Sequence, residues 1–157
     1  MKKRLDVLLT EKASVPPQDI IFDPNILTVA TGMAEHLDYA YDFVRATEWI
    51  HDNLPGARVS GGLSNLSFAF RGNNFVREAM HTVFLKEAQK KGMDMAILNP
   101  ATALPFDSIP VSLRLAIHSV LFTHRDEEAT ELLIALAKEI RQRKEAEKAV
   151  ASTAPKA

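Results

Sequence analysis

The sequence places a polar side chain at the end of each of three apolar segments. Asp23 ends "DIIFD", Asn65 ends "RVSGGLSN" and Asn99 ends "MDMAILN". A carboxylate accepts hydrogen bonds and an amide both donates and accepts them, so the three residues together could contact a polar ligand. An asparagine after a strand also often serves only to turn the chain, and this alternative stands for each residue taken alone. The residues are therefore informative as a set only if the fold brings them to one place.

The composition excludes several other kinds of site. The 157 residues include no cysteine, which excludes a disulfide scaffold, a thiolate nucleophile and a Cys-ligated zinc or iron–sulfur site. The histidines show no ligand spacing such as H-E-x-x-H, so we interpret them as solvated or packed imidazoles and expect no metal site. These histidines are His36, His51, His81, His118 and His124.

The charge balance points away from two classes of partner. Nineteen basic and twenty acidic residues give a formal net charge of -1, so we expect neither nucleic acid nor a membrane surface as a partner. The N-terminal "MKKR" resembles the start of a signal peptide, but Asp6 and Glu11 interrupt the segment after it, and no apolar run reaches ~18 residues. We therefore expect a cytoplasmic protein.

Hydrophobic patterning predicts three strands. Residues 19–25 form an apolar run of the kind that is typical of a parallel strand buried on both faces. Residues 57–65 return to extended character, and residues 93–99 predict a third buried strand.

Helical periodicity fills the segments between and after these strands. Leu5, Leu8 and Leu9 form one face of a short first helix, which ends at the consecutive prolines of "VPPQD". Apolar positions at helical spacing predict further helices over residues 35–54 and 74–92 and a closing helical pair over residues 112–123 and 127–148.

The resulting order, α-β-α-β-α-β-αα, predicts an α/β fold with a parallel sheet built through right-handed crossovers. Ligands of such sheets bind at the carboxyl ends of the strands. Asp23, Asn65 and Asn99 should then lie on one rim. We assign residues 1–148 to one domain and residues 149–157 to a disordered tail.

Three long stretches carry a resemblance to a known family. They are "EKASVPPQDIIFDPNILTVATGMAEHLDYAYDF", "WIHDNLPGARVSGGLSNLSFAFRGNNFVREAMHTVFL" and "GMDMAILNP". From about residue 5 to residue 138 the chain resembles the folate-binding region of the cobalamin-dependent methionine synthases, within the pterin-binding family of TIM barrels. Dihydropteroate synthases and corrinoid methyltransferases are similar more distantly. The resemblance implies a partial TIM barrel, in which the three strands correspond to the sixth, seventh and eighth of eight.

The resemblance also implies roles for four residues. Asp23 matches a carboxylate that accepts two parallel donors of the pterin ring, and Asn65 matches a catalytic asparagine near pterin N5, which carries the transferable methyl group. Arg71 and Arg77 match two arginines that contact the folate, although two solvated surface arginines are the alternative.

The function implied is binding of 5-methyltetrahydrofolate, the substrate, in a methyltransferase that passes the N5 methyl group to cob(I)alamin. Cobalamin and zinc-bound homocysteine belong to other modules of such enzymes. The expected partners are those modules and the remaining barrel strands. Two alternatives stay open: a catalytically incomplete fragment that self-associates through exposed sheet edges as a homo-oligomer, and a pterin-binding subunit of a related corrinoid methyltransferase.

The chain departs from the family pattern after the third strand. Where the family often has a Gly-Gln-Leu-Ala run followed by a tyrosine and acidic residues, this chain reads "NPATALPFDSIP". The loop at this part of the rim is therefore expected to differ.

Overall fold

The computed structural model of the chain describes residues 7–153, with side chains described through residue 150. It is a mixed α/β fold with a three-stranded sheet in the order β1-β2-β3. The strands are β1 (Ile21–Phe22), β2 (Arg58–Gly62) and β3 (Met95–Ile97). Both pairings are parallel, as the alternation of strands and helices predicts.

Within residues 7–153, four α-helices accompany the sheet, and the predicted helices are confirmed with shifted ends. They are α1 (Tyr39–Asn53), α2 (Asn74–Lys90), α3 (Val111–His118) and α4 (Glu127–Thr153). A 3-10 turn, Ala34–His36, replaces the start of the first long helix, and a π-helical segment, Ser119–Thr123, continues α3. The short N-terminal helix is one π-helical turn, Leu8–Lys12, while Leu5 lies outside the described residues.

The core lies between the sheet and the helices. Ile20, Phe22, Val59 and Leu63 are all buried on this side of the strands. Gly61 lies in this packed region: a Cβ atom there would lie 2.6 Å from Cδ1 of Ile26 and 2.9 Å from Cζ of Phe43, so these side chains would have to shift. The absence of a side chain at Gly61 therefore lets Ile26 and Phe43 pack directly against β2.

The prediction that the first strand is buried on both faces is wrong, and the third strand, which was predicted to be buried, is also exposed on one face. Ile21 is 54% exposed and Ile97 is 70% exposed, whereas Ile20 and Phe22 are 6% and 8% exposed. Side chains alternate between the two faces of a strand, and the helices that the structure describes cover only one face of this sheet. We call the other face, formed by Ile21, Ser60, Gly62 and Ile97, the open face.

The last helix is longer than the sequence predicts. It extends to Thr153, so residues 149–153 are helical although the sequence assigns them to a disordered tail. Residues 154–157 of that tail lie outside the described residues. Within residues 7–153, no helix has the length and apolarity needed to cross a membrane.

Candidate functional site

The three polar residues singled out from the sequence all follow the carboxyl ends of parallel strands. Asp23 comes directly after β1, Asn65 ends the 3-10 turn Leu63–Asn65 after β2, and Asn99 lies two residues beyond β3. All three are exposed. Because the strands are parallel and adjacent, their carboxyl ends meet at one edge of the sheet, which we call the rim.

Asp23 lies at the rim, directly after Phe22, the last residue of β1. Its side chain is exposed, whereas that of Phe22 is buried. Its Oδ1 atom accepts the backbone N–H of Asn25 at 2.8 Å. Asn25 adopts a φ of 72°, a left-handed conformation that asparagine tolerates, and this turn orients the carboxylate.

Asn65 lies in a turn that is hydrogen-bonded to the loop after β1. Its backbone carbonyl accepts the hydroxyl of Thr28 at 3.0 Å, and the carbonyl of Leu66 accepts the N–H of Val29 at 3.2 Å. The amide side chain remains exposed. The loops that carry Asp23 and Asn65 are therefore joined by direct contacts, although the two residues are 42 positions apart in the sequence.

Arg77, in the first turn of α2, is hydrogen-bonded to the residues on either side of Asn65. Its Nε donates to Oγ of Ser67 at 3.0 Å, and its Nη2 donates to the carbonyl of Ser64 at 3.2 Å. The guanidinium has five N–H donors, so these two bonds leave others for a ligand. The structure thus gives Arg77 a supporting role, and its contact with folate stays a prediction.

Behind Arg77 lies a buried polar chain that the sequence analysis missed. Ser67 is 0% exposed and His81 is 8% exposed, and Oγ of Ser67 lies 2.8 Å from Nε2 of His81. Nδ1 of His81 lies 3.4 Å from Oε2 of Glu78. Because Arg77 can only donate to Ser67, the hydroxyl proton of Ser67 is available to Nε2, and a neutral His81 then donates through Nδ1 to Glu78.

Burial lowers the pKa of His81 below its ordinary value of 6.5, against the opposing charge and hydrogen bond of Glu78. The Ser-His-Glu order resembles a nucleophile with its base, but Ser67 is fully buried, so no substrate reaches its hydroxyl. The sequence signal was the spacing of Arg77, Glu78 and His81, because residues three and four positions apart share one face of a helix.

Arg71 is exposed and lies over an aromatic ring. Its Cζ atom is 3.5 Å from the centre of the Phe68 ring, and Phe68 is 44% exposed. The stacking holds the guanidinium close to the turn that carries Asn65. The structure therefore places Asp23, Asn65, Arg71 and Arg77 on the segments that follow β1 and β2, and it adds Ser67 and His81 as supports.

Two further features bear on what the site can hold. Among residues 7–153, no group of three or more potential metal-ligating side chains comes together. A cavity of about 640 Å³ lies between α3 and α4, and none of the four candidate residues lines it. Among the four candidate residues, Arg71 lines a separate cleft of about 220 Å³, and Asp23 and Asn65 are exposed at the rim.

Comparison with known families agrees with the resemblance at the level of the family. The model of a family described as "Pterin binding enzyme" matches residues 2–99, which is more than half of the 157 residues. The match includes all three strands and the four candidate residues. The parallel sheet with its flanking helices is consistent with part of the TIM-barrel-like fold of that family. The chain therefore belongs to the pterin binding enzyme family.

Proposed function

We propose that the chain contacts the pterin ring of 5-methyltetrahydrofolate and forms part of a methyltransferase of the methionine synthase type. The observation that carries the proposal is the arrangement at the rim. There, a carboxylate and an amide follow neighbouring parallel strands, on loops joined by the Thr28 and Val29 hydrogen bonds. The family match supports pterin binding, and the resemblance of the sequence supports methyl transfer.

Asp23 would bind the pterin edge. A pterin presents a ring N–H beside an exocyclic amino group, and an ionised carboxylate can accept both as a bidentate pair. The Asn25 N–H already fixes one oxygen of Asp23, so the carboxylate is oriented before the ligand arrives. Such preorganisation lowers the entropic cost of binding.

Asn65 would assist departure of the methyl group. The N5–CH₃ bond breaks more easily when N5 gains a proton or a strong hydrogen bond, and an exposed amide beside N5 can donate one. Loss of a donor at such a position typically costs ~3 kcal/mol in the barrier. Arg77 keeps the Asn65 turn in place by donating to the Ser64 carbonyl, and Arg71 would contact the p-aminobenzoyl or glutamyl oxygens of the ligand.

The proposed enzyme needs parts beyond the described residues. Cobalamin, as cob(I)alamin, would accept the methyl group, and we assign it and zinc to other modules of the enzyme. The remaining barrel strands would cover the open face, where Ile21 and Ile97 are exposed. No described segment of the chain covers these two side chains. Such exposure is expected of strands whose barrel partners lie on another part of the enzyme.

The same exposed residues favour a second candidate function. An open face with unpaired edges at β1 and β3 also fits a fragment that self-associates and catalyses nothing. The two candidates differ in whether the chain binds a folate.

A titration separates them. We would titrate 5-methyltetrahydrofolate by calorimetry against the chain alone, and then against the chain mixed with a polypeptide that carries the first five barrel strands. We expect binding in the mixture. Asp23→Asn should weaken this binding by roughly 10- to 100-fold, because hydrogen bonds to a charged group contribute about 1.5–3 kcal/mol.

The matched control is Asp52→Asn, which removes the same charge from an aspartate that is 65% exposed on α1. It should leave the dissociation constant unchanged. Absence of binding in both titrations would end the folate proposal, and equal losses in the two variants would move the site away from Asp23.

A further inference from the structure

Two of the four buried polar side chains among residues 7–150 form a pair with each other. The other two, Thr47 and Thr130, each donate to the backbone carbonyl four residues earlier in the chain. Ser67 and His81 instead meet across elements, with Oγ of Ser67 2.8 Å from Nε2 of His81. Burying two polar side chains costs desolvation that apolar packing avoids, so stability alone is a weak explanation for this pair.

The neighbours of the pair set the direction of each hydrogen bond. Arg77 can only donate, so Oγ of Ser67 accepts from its Nε at 3.0 Å. An ionised carboxylate can only accept, so Nδ1 of His81, which lies 3.4 Å from Oε2 of Glu78, carries a proton. Nε2 of His81 then accepts the hydroxyl proton of Ser67. All four groups are satisfied when His81 is neutral and protonated on Nδ1.

The other two protonation states of the ring fit these neighbours less well. A neutral ring with its proton on Nε2 would turn a lone pair towards the carboxylate of Glu78, which places two acceptors against each other. A cationic ring would donate to Ser67, and the hydroxyl proton would lose its acceptor in the core, where Ser67 is 0% exposed. The geometry therefore selects one tautomer of His81.

Arg77 connects this buried pair to the turn that carries Asn65. Its Nη2 donates to the carbonyl of Ser64 and its Nε donates to the hydroxyl of Ser67, so one planar guanidinium bridges the two ends of residues 64–67. The lone pair of Ser67 faces Arg77 because the hydroxyl proton points to His81. The orientation of the ring thus bears on the turn through two hydrogen bonds.

We propose that Ser67 and His81 are positioning residues for Asn65. The buried ring orients the hydroxyl of Ser67, the hydroxyl orients Arg77, and Arg77 fixes the turn from which the amide of Asn65 reaches pterin N5. Both residues are buried, so their effect reaches the ligand through Arg77 and the turn. The inference rests on the proposed function for the role of Asn65, but the state of the network can be measured without a ligand.

The first measurement is nitrogen NMR of the full chain with isotope-labelled histidine, at a pH at which the imidazole rings are neutral. The signals of His81 are identified by their absence from the spectrum of His81→Gln. We expect the ring to carry its proton on Nδ1, because only this tautomer satisfies both Ser67 and Glu78. A proton on Nε2, or exchange of the proton between the two nitrogens, would overturn the proposed network.

The second measurement follows methyl transfer from 5-methyltetrahydrofolate to added cob(I)alamin, with the chain complemented by the first five strands. His81→Leu removes the acceptor and should lower the rate at saturating folate by about tenfold, because small misplacements of a reacting group have large effects on rate. The dissociation constant of the folate should change much less, since Asp23 is left in place. His81→Gln supplies an acceptor near the position of Nε2 and should recover most of the rate.

The matched control is Thr82→Val on the same helix. It keeps the size of the side chain and removes the hydrogen bond that the Thr82 hydroxyl donates to the carbonyl of Leu104 at 2.8 Å. It should lower stability without changing the rate or the NMR signal of the Asn65 side-chain amide. His81→Leu and Ser67→Ala should each shift that signal, and the double variant should lose no more rate than either single variant, because the two residues act in one network.

The outcomes separate this inference from the proposed function. Absence of methyl transfer in the complemented wild type would end the proposed function, while the Asn65 amide signal would still show whether the network positions the turn. An unchanged Asn65 signal in His81→Leu, or equal losses of rate in His81→Leu and Thr82→Val, would overturn the positioning role. If His81→Leu does not fold, the tautomer of His81 and the rate of His81→Gln decide, and a rate in His81→Gln far below that of the wild type would overturn the acceptor role of the ring.

Discussion

At the scale of single residues, His81 links the buried core to the rim. Its ring accepts from Ser67, which in turn accepts from Arg77, and Arg77 donates to the turn that carries Asn65. Protonation of His81 would remove the acceptor for the hydroxyl proton of Ser67. The protonation state of His81 therefore affects the hydrogen bonds that hold the turn carrying Asn65.

We therefore expect the free energy of unfolding to depend on pH through His81. Burial lowers the pKa of the folded form below 6.5, with Glu78 opposing the shift and Arg77 adding to it. Between the two pKa values the unfolded chain binds more protons, so stability is fully present above about pH 6.5 and falls as the pH is lowered towards the folded pKa. Urea denaturation at a series of pH values would measure this slope.

The variant His81→Gln should reduce the slope, because glutamine can accept from Ser67 but does not titrate. His51→Gln, at a ring that is 68% exposed on α1, is the control and should leave the slope close to that of the wild type. A wild-type slope that survives in His81→Gln would show that other groups cause it.

At the scale of elements, the two faces of β2 differ in the space that they leave for a side chain. A Cβ atom at Gly61 would lie within 3 Å of both Ile26 and Phe43, whereas one at Gly62 would meet nothing within 4 Å. The two glycines are adjacent and therefore point to opposite faces.

Gly61→Ala should lower the free energy of unfolding by about 1–3 kcal/mol, the usual cost of overpacking a core. Gly62→Ala, its neighbour on the open face with a φ of -88° that alanine adopts without strain, should change it by no more than about 0.5 kcal/mol. Chemical denaturation of both variants checks the pair. Similar losses would mean that the open face is covered in solution.

At the scale of the whole molecule, the open face decides how the chain behaves alone. Ile97 is 70% exposed on β3, and β3 and β1 are the edges of the sheet. Exposed strand edges with apolar side chains promote association with other chains.

We expect the chain alone to show a mass above 17.4 kDa in light scattering, increasing with concentration, and Ile97→Lys to lower it towards the monomer. Leu132→Lys introduces the same charge at a leucine that is 61% exposed on α4 and should leave the association unchanged. Dissociation by Leu132→Lys alone would instead place the contact at the cavity between α3 and α4.

The order of helices and strands, the parallel pairing and the polar residues after each strand could all be predicted from the amino-acid sequence. These features depend on local periodicity and on sterics, which act over a few neighbouring residues. The ends of elements were less accurate: Asn65 lies in a 3-10 turn after β2, and α4 continues through residues 149–153.

Only the tertiary structure shows which face of the sheet is covered and which charged side chains lie together. The apolar run around Ile21 has the same pattern whether one or two layers pack on it, so its exposure depends on what lies opposite. Arg71 and Arg141 are 70 residues apart in the sequence but line the same cleft, beside the hydrogen bond from Asn73 to the carbonyl of Ala137 that joins α2 to α4. Contacts of this kind depend on the packing of distant segments, which no local pattern encodes.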